Sequence, residues 1–251
     1  AATVAGKRYG KGSSREHSPR SERLAGIRLV IAESFERIYR QNADNLGLFT
    51  STDFSLVERI QYGEPIDIEE LVASRDAQAA AILRHGGLLR YGRARMKVIS
   101  LPPADTATAG PRTLVEKIIA KHLAVTGDSG TSLKAGSGAF VRPDWRFLIE
   151  YYTPMCAHML HAEFGRPLQL HDAQSVRLFE DHTSYVHRSI AHTRAGLMPA
   201  VQNVVREHRK FVEEYGLIAH GLLADGVGSE GISHPMLSLR YGLPGQIVVG
   251  P

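Results

Sequence analysis

The sequence predicts an α/β protein of two units joined by a proline-rich connector. Three observations predict it. The run Ile27–Ala32, IRLVIA, is apolar and β-branched enough for a buried strand and too short for a buried helix. Amphipathic segments with recognisable ends lie on either side of the chain's middle, over residues 35–45, 113–124 and 200–217. Between them, residues 100–112, SLPPADTATAGPR, hold three prolines among small polar residues, the composition of a linker. An ordinary surface loop is the other reading of that stretch.

The elements follow in order. A GKGSS loop leads into a short polar helix over residues 15–25, with Pro19 early in it. The strand over residues 27–32 comes next. Ser34 is placed to cap a helix over residues 35–45, and Gly47 to end it. Gly63-Glu64-Pro65 and Gly86-Gly87 mark turns. Beyond the connector, Thr113 and Glu116 form a capping-box pair ahead of Leu114, Ile118 and Ile119 at helical spacing. The stretch AVQNVVREHRKFVEEYGL predicts a second amphipathic helix closed by Gly216, and GLPGQIVVG a turn and an apolar strand. There is no internal repeat.

At 251 residues the chain has room for one large or two small domains. With 43% hydrophobic and 22% charged residues it reads as an ordinary globular protein. No apolar run is long enough for a membrane span, and the first residues lack the pattern of a signal peptide. The single cysteine, Cys156, excludes an internal disulfide and points to a reducing compartment, so a cytoplasmic location is expected. A net charge of +4 suits small anionic ligands and is too mild and too dispersed for nucleic acid.

The stretch YGKGSSREHSPR, residues 9–20, carries the most chemistry. Gly10 and Gly12 allow positive φ and a close backbone approach to a ligand. Ser13 and Ser14 would stand at the start of the following helix, where free amides and the helix dipole meet an anion. Arg15 adds a planar fork for a carboxylate or phosphate. Neither a Walker loop nor a G-x-S-x-G elbow fits the spacing. A tight turn with a serine cap remains the simpler reading of the residues alone.

The order YGKGSSREH, then GIRLVIAESFERIYRQNADNLGL, resembles the swivelling domain of the aconitase superfamily, which includes homoaconitases and isopropylmalate isomerases. In the second half, TLVEKIIAKHLA, YYTP, LFEDH and GSEGISHPMLSLRYGLPGQIVVG resemble the opening of that family's large part. The resemblance implies a swivelling β/β/α domain over residues 1–99, a linker over 100–112, and the first part of an aconitase-like three-layer α/β domain over 113–251. It implies a hydro-lyase acting on hydroxy di- or tricarboxylic acids through a cis-unsaturated intermediate. By that analogy Ser13 is the base for the carbon-bound proton, and Ser14 and Arg15 hold a substrate carboxylate. Asp181 and His182 protonate the departing hydroxyl, His234 lies beside it, and Thr153 sits in a substrate-side loop.

The family's Lewis acid is a [4Fe–4S] cluster on three cysteines, whereas this chain has only Cys156. A further chain or segment is therefore expected to carry the cluster cysteines, with no metal ligand in this one. The swivelling unit also precedes the large part here, the reverse of its usual place in fused relatives. A cluster-free carboxylate-binding or regulatory module is the second reading.

Overall fold

The computed structural model describes residues 1–12, 16–95, 111–124, 139–221 and 229–250. The expected connector falls largely outside the described residues, as do Ser13, Ser14 and Arg15. The described residues fall into two compact units. One draws on Ala1–Pro102 and Ala124–Phe140, the other on Pro103–Leu123 and Val141–Pro251.

In the first unit the chain runs β1 (Ala2–Ala5), α1 (His17–Leu24), β2 (Leu29–Ala32), α2 (Arg37–Leu46) and β3 (Phe49–Ser51). Four short helices follow: α3 (Ser55–Gln61), α4 (Ile68–Val72), α5 (Ala77–Arg84) and α6 (Leu88–Arg95). The strands form a parallel sheet in the order β1-β2-β3. The predicted strand is its centre, and all four of its residues are buried. Burial on both faces explains the continuous apolar run. Val30 packs with Tyr39 and Ala43 of α2, while Leu29 and Ile31 pack with Leu56 of α3.

Local signals met two outcomes. Gly47 closes α2 at φ 71°, and the chain can fold back tightly because a Cβ there would fall 2.4 Å from the Gly86 backbone. Ser34 does not cap α2. Its Oγ accepts the Arg8 N–H at 2.8 Å, so the hydroxyl ties the GKGSS approach to the end of β2 instead.

The second unit contains α7 (Leu114–His122), β4 (Trp145–Ile149), α8 (Thr153–Phe164), β5 (Val176–Phe179), α9 (Ile190–Arg194), α10 (Met198–Tyr215), β6 (Ile218–His220), α11 (Ser233–Met236) and β7 (Val248–Val249). Its sheet is parallel, in the order β6-β5-β4-β7. Phe147, Ile149 and Phe179 pack on one face with Tyr152 and Leu237. Leu178 packs on the other with Phe211 and Leu217, beside Ala157 of α8. Helices therefore cover the middle of this sheet as well. The capping box of α7 forms as expected, and Gly216 closes α10 at φ 59°.

Candidate active site

In the first unit, β1 opens into residues 6–12, where Arg8, Gly10 and Gly12 adopt φ of 57°, 82° and 107°. Gly10 also has no room for a side chain, since a Cβ would fall 2.2 Å from Tyr39. Tyr9 is stitched down by its backbone. Its N–H donates to the Ser34 carbonyl and its carbonyl accepts the Glu36 N–H, both at 2.9 Å. One carboxylate, Glu22 on α1, accepts hydrogen bonds from the hydroxyls of both Tyr9 and Tyr39. Burial first, and Glu22 second, push the Tyr9 phenol up to about 12 and raise that of Tyr39 as well. The loop that leads to Ser13 is thus anchored by neutral phenols on a carboxylate.

In the second unit the functional side chains gather beyond the carboxyl ends of β4 and β5, where open parallel sheets commonly take ligands. β4 delivers Glu150 and β5 delivers Glu180, Asp181 and His182. Asp181 is nearly sealed, with its side chain 3% exposed, while that of His182 is 37% exposed. The His182 Nδ1–H donates to Asp181 Oδ1 at 2.7 Å. That bond fixes the tautomer and leaves Nε2 as the working nitrogen. The other oxygen, Oδ2, accepts the Ser233 N–H at 2.7 Å, which brings His234 to the same place across 52 residues of sequence. The His234 ring stands edge-on to Phe147, with centroids 5.0 Å apart. Burial opposes the Asp181 charge, but the Ser233 N–H and His182 more than offset it and hold the carboxyl below its ordinary value.

Two residues that the sequence reading did not single out build this geometry. Glu150 is fully buried and accepts three hydrogen bonds from one loop, from the Asp181 N–H, the Thr183 N–H and the Thr183 hydroxyl. Ser233 supplies the amide that joins the two histidine segments. An acid immediately after an apolar run, as in WRFLIE, was the available signal for Glu150. Asp181 and His182 therefore pair in this unit, and the segment that carries His234 is joined to them through the Ser233 amide. Ser13, Ser14 and Arg15 lie outside the described residues.

Thr153 is placed differently from the loop the sequence suggested. It opens α8 and is fully buried, donating to the Ile149 carbonyl at 2.8 Å. With its proton so used, its oxygen accepts from His208 Nδ1–H at 2.9 Å. His208 Nε2 is then a buried acceptor with no partner among the described residues. Burial lowers its pKa from 6.5 to about 4, Glu180 partly countering and Arg209 adding to the shift. A depressed histidine contributes stability that is complete above the unfolded value and is lost as pH falls toward the folded one. The parent should lose about 3 kcal/mol more than His208→Gln between roughly pH 6.5 and 4, measured by urea unfolding at each pH. Equal slopes for the two proteins would refute the assignment.

The one cysteine does not fit an iron–sulfur cluster. Cys156 is half-buried on α8 and packs against the Phe147 core, and a cluster of the family's kind needs three thiolates. Glu150, Asp181 and His182 place one ligand atom each within 4.8 Å of one another. Their oxygens are already engaged by the amides, hydroxyl and imidazole described above, so no metal centre is assigned to them.

The two halves are thus an α/β unit built around an anchored glycine loop and an α/β unit carrying an acid–imidazole pair. Residues 2–52 match the family model of the aconitase C-terminal domain. This segment is similar to members of the aconitase/isopropylmalate isomerase superfamily. The 3-isopropylmalate dehydratase small subunit of Aquifex aeolicus is 36% identical over 107 residues, 37% of this chain and 64% of that protein. Aconitate hydratase A of Escherichia coli is 47% identical over 74 residues, 28% of this chain and 8% of that protein. The crystal structure of a 3-isopropylmalate dehydratase from Methanocaldococcus jannaschii aligns with 39% of this chain and 65% of its own, at 28% identity and a TM-score of 0.31. The chain spans between two fifths and just under two thirds of the length of the small subunits it matches. No described helix is long and apolar enough to cross a membrane.

Proposed function

We infer that the chain is part of a hydro-lyase that moves water across a carbon–carbon double bond in a hydroxy di- or tricarboxylic acid. The observation that carries this reading is the Asp181–His182 pair, joined to His234 through Ser233 beyond the ends of β4 and β5. Residues 1–99 are proposed as the swivelling domain, 100–112 as the linker, and 113–251 as the start of the large-subunit-like domain. Ser13 acts as the base for the carbon-bound proton, with its alkoxide stabilised by neighbouring amides and Arg15. Ser14 and Arg15 hold a carboxylate. His182, in its doubly protonated form, gives the Nε2 proton to the departing hydroxyl while Asp181 steadies the imidazolium. His234 stands beside that hydroxyl. The buried Thr153 hydroxyl supports a bracing role in place of substrate contact. Any cluster in the working assembly takes its cysteines from another chain or segment, and cytoplasm is the proposed location.

The single cysteine favours a second reading, a carboxylate-binding or regulatory module. One experiment separates the two. The protein is isolated anaerobically in its native assembly and mixed with cis-aconitate or an alkyl-substituted maleate. Loss of the conjugated double bond's ultraviolet absorbance supports the hydro-lyase. Saturable carboxylate binding with no hydration overturns it in favour of the module.

A further inference from the structure

A cavity in the first unit takes no part in the proposed hydro-lyase chemistry. It holds about 240 Å³ and lies at the carboxyl end of β3, lined by Arg40 of α2, Thr50 and Ser51 of β3, Thr52, and Ser74. That volume suits one small polyatomic ion or a short diacid.

The hydrogen-bond inventory of its wall is lopsided. Thr50 Oγ1 already accepts from Arg75 at 2.6 Å, and Ser74 Oγ accepts from the same guanidinium at 3.2 Å. Ser51 Oγ accepts the Asp53 N–H at 3.1 Å. A hydroxyl whose oxygen is so used still has its proton to give. The Arg40 side chain makes no hydrogen bond or ion pair among the described residues. The wall therefore presents the exposed Arg40 guanidinium and several hydroxyl protons to whatever enters the cavity.

Its two carboxylates each have one oxygen engaged elsewhere. Asp53 Oδ1 accepts the Ser55 N–H at 2.9 Å, and Glu70 is paired with Arg59 at 2.6 Å. Arg75 is likewise spent on Asp44. Arg40 is meanwhile held below its ordinary pKa, by burial first and by Arg75 second, with Asp44 partly countering.

We propose that this cavity is a small-oxyanion site, taking a carboxylate or inorganic phosphate on the Arg40 fork and the hydroxyls of Thr50, Ser51, Thr52 and Ser74. It is independent of the hydro-lyase reading, because none of its residues belongs to the GKGSS loop or to the second unit.

The test uses the full chain carrying Arg15→Gln, which removes the other arginine expected to hold a carboxylate. Isothermal titration at fixed ionic strength is run with inorganic phosphate and, separately, with malonate. Saturable binding of either is expected, and Arg40→Gln should weaken it at least tenfold. Which titrant binds more tightly names the source, and competition between them confirms a single site. Thr52→Val, which keeps the shape and removes one donor, should weaken binding severalfold and guards against a fold defect in the arginine variant. No saturable binding of either anion, or an affinity unchanged by both Arg40→Gln and Thr52→Val, overturns the proposal.

Discussion

Asp181→Asn is expected to lower kcat for hydration about 10³-fold while leaving KM within a few-fold of the parent. The asparagine oxygen takes over the Ser233 N–H, so its NH₂ faces His182 Nδ1. That nitrogen must then be bare. The imidazolium loses its counter-charge, and the wrong tautomer is favoured. The fold should survive, because the bond to Ser233 is kept. Steady-state kinetics on the native assembly, with circular dichroism as control, provide the measurement. A kcat within threefold of the parent would remove Asp181 from the acid–imidazole role. Ser13→Ala, assayed alongside, should show a loss of at least the same order with substrate binding retained.

The second large effect is on stability. Glu150→Ala should cost about 4 kcal/mol, since two amides and a hydroxyl lose their shared acceptor and a small cavity opens. Glu150→Gln keeps one acceptor oxygen and should cost roughly half as much. Urea unfolding followed by fluorescence reads this unit selectively, because Trp145 is the only tryptophan. A loss under 1 kcal/mol for the alanine variant would mean that water replaces the carboxylate and that the loop does not depend on it.

The parts legible in the sequence were those specified locally. The run at residues 27–32 needed no partner to be recognised, because a parallel strand covered on both faces is apolar throughout. Gly47, Gly216 and the Thr113–Glu116 box were legible because caps act within a few residues. The strands β1, β3, β4, β5 and β6 are three to five residues long, too short to display a period. Ser34 had the right type and position for a cap, yet a partner 26 residues away won its hydroxyl. The acid–imidazole pair could be named from LFEDH. What seals Asp181 and joins it to His234 is an amide 52 residues on and a carboxylate 31 residues back, which no local pattern encodes.

The twin phenols on Glu22 bear on how activity would respond to alkali. With Tyr9 ionising only near 12, and Tyr39 raised as well, the two phenols keep their protons throughout the range in which enzymes are assayed. Any bend in a rate profile between pH 5 and 9 must then originate in groups other than these tyrosines.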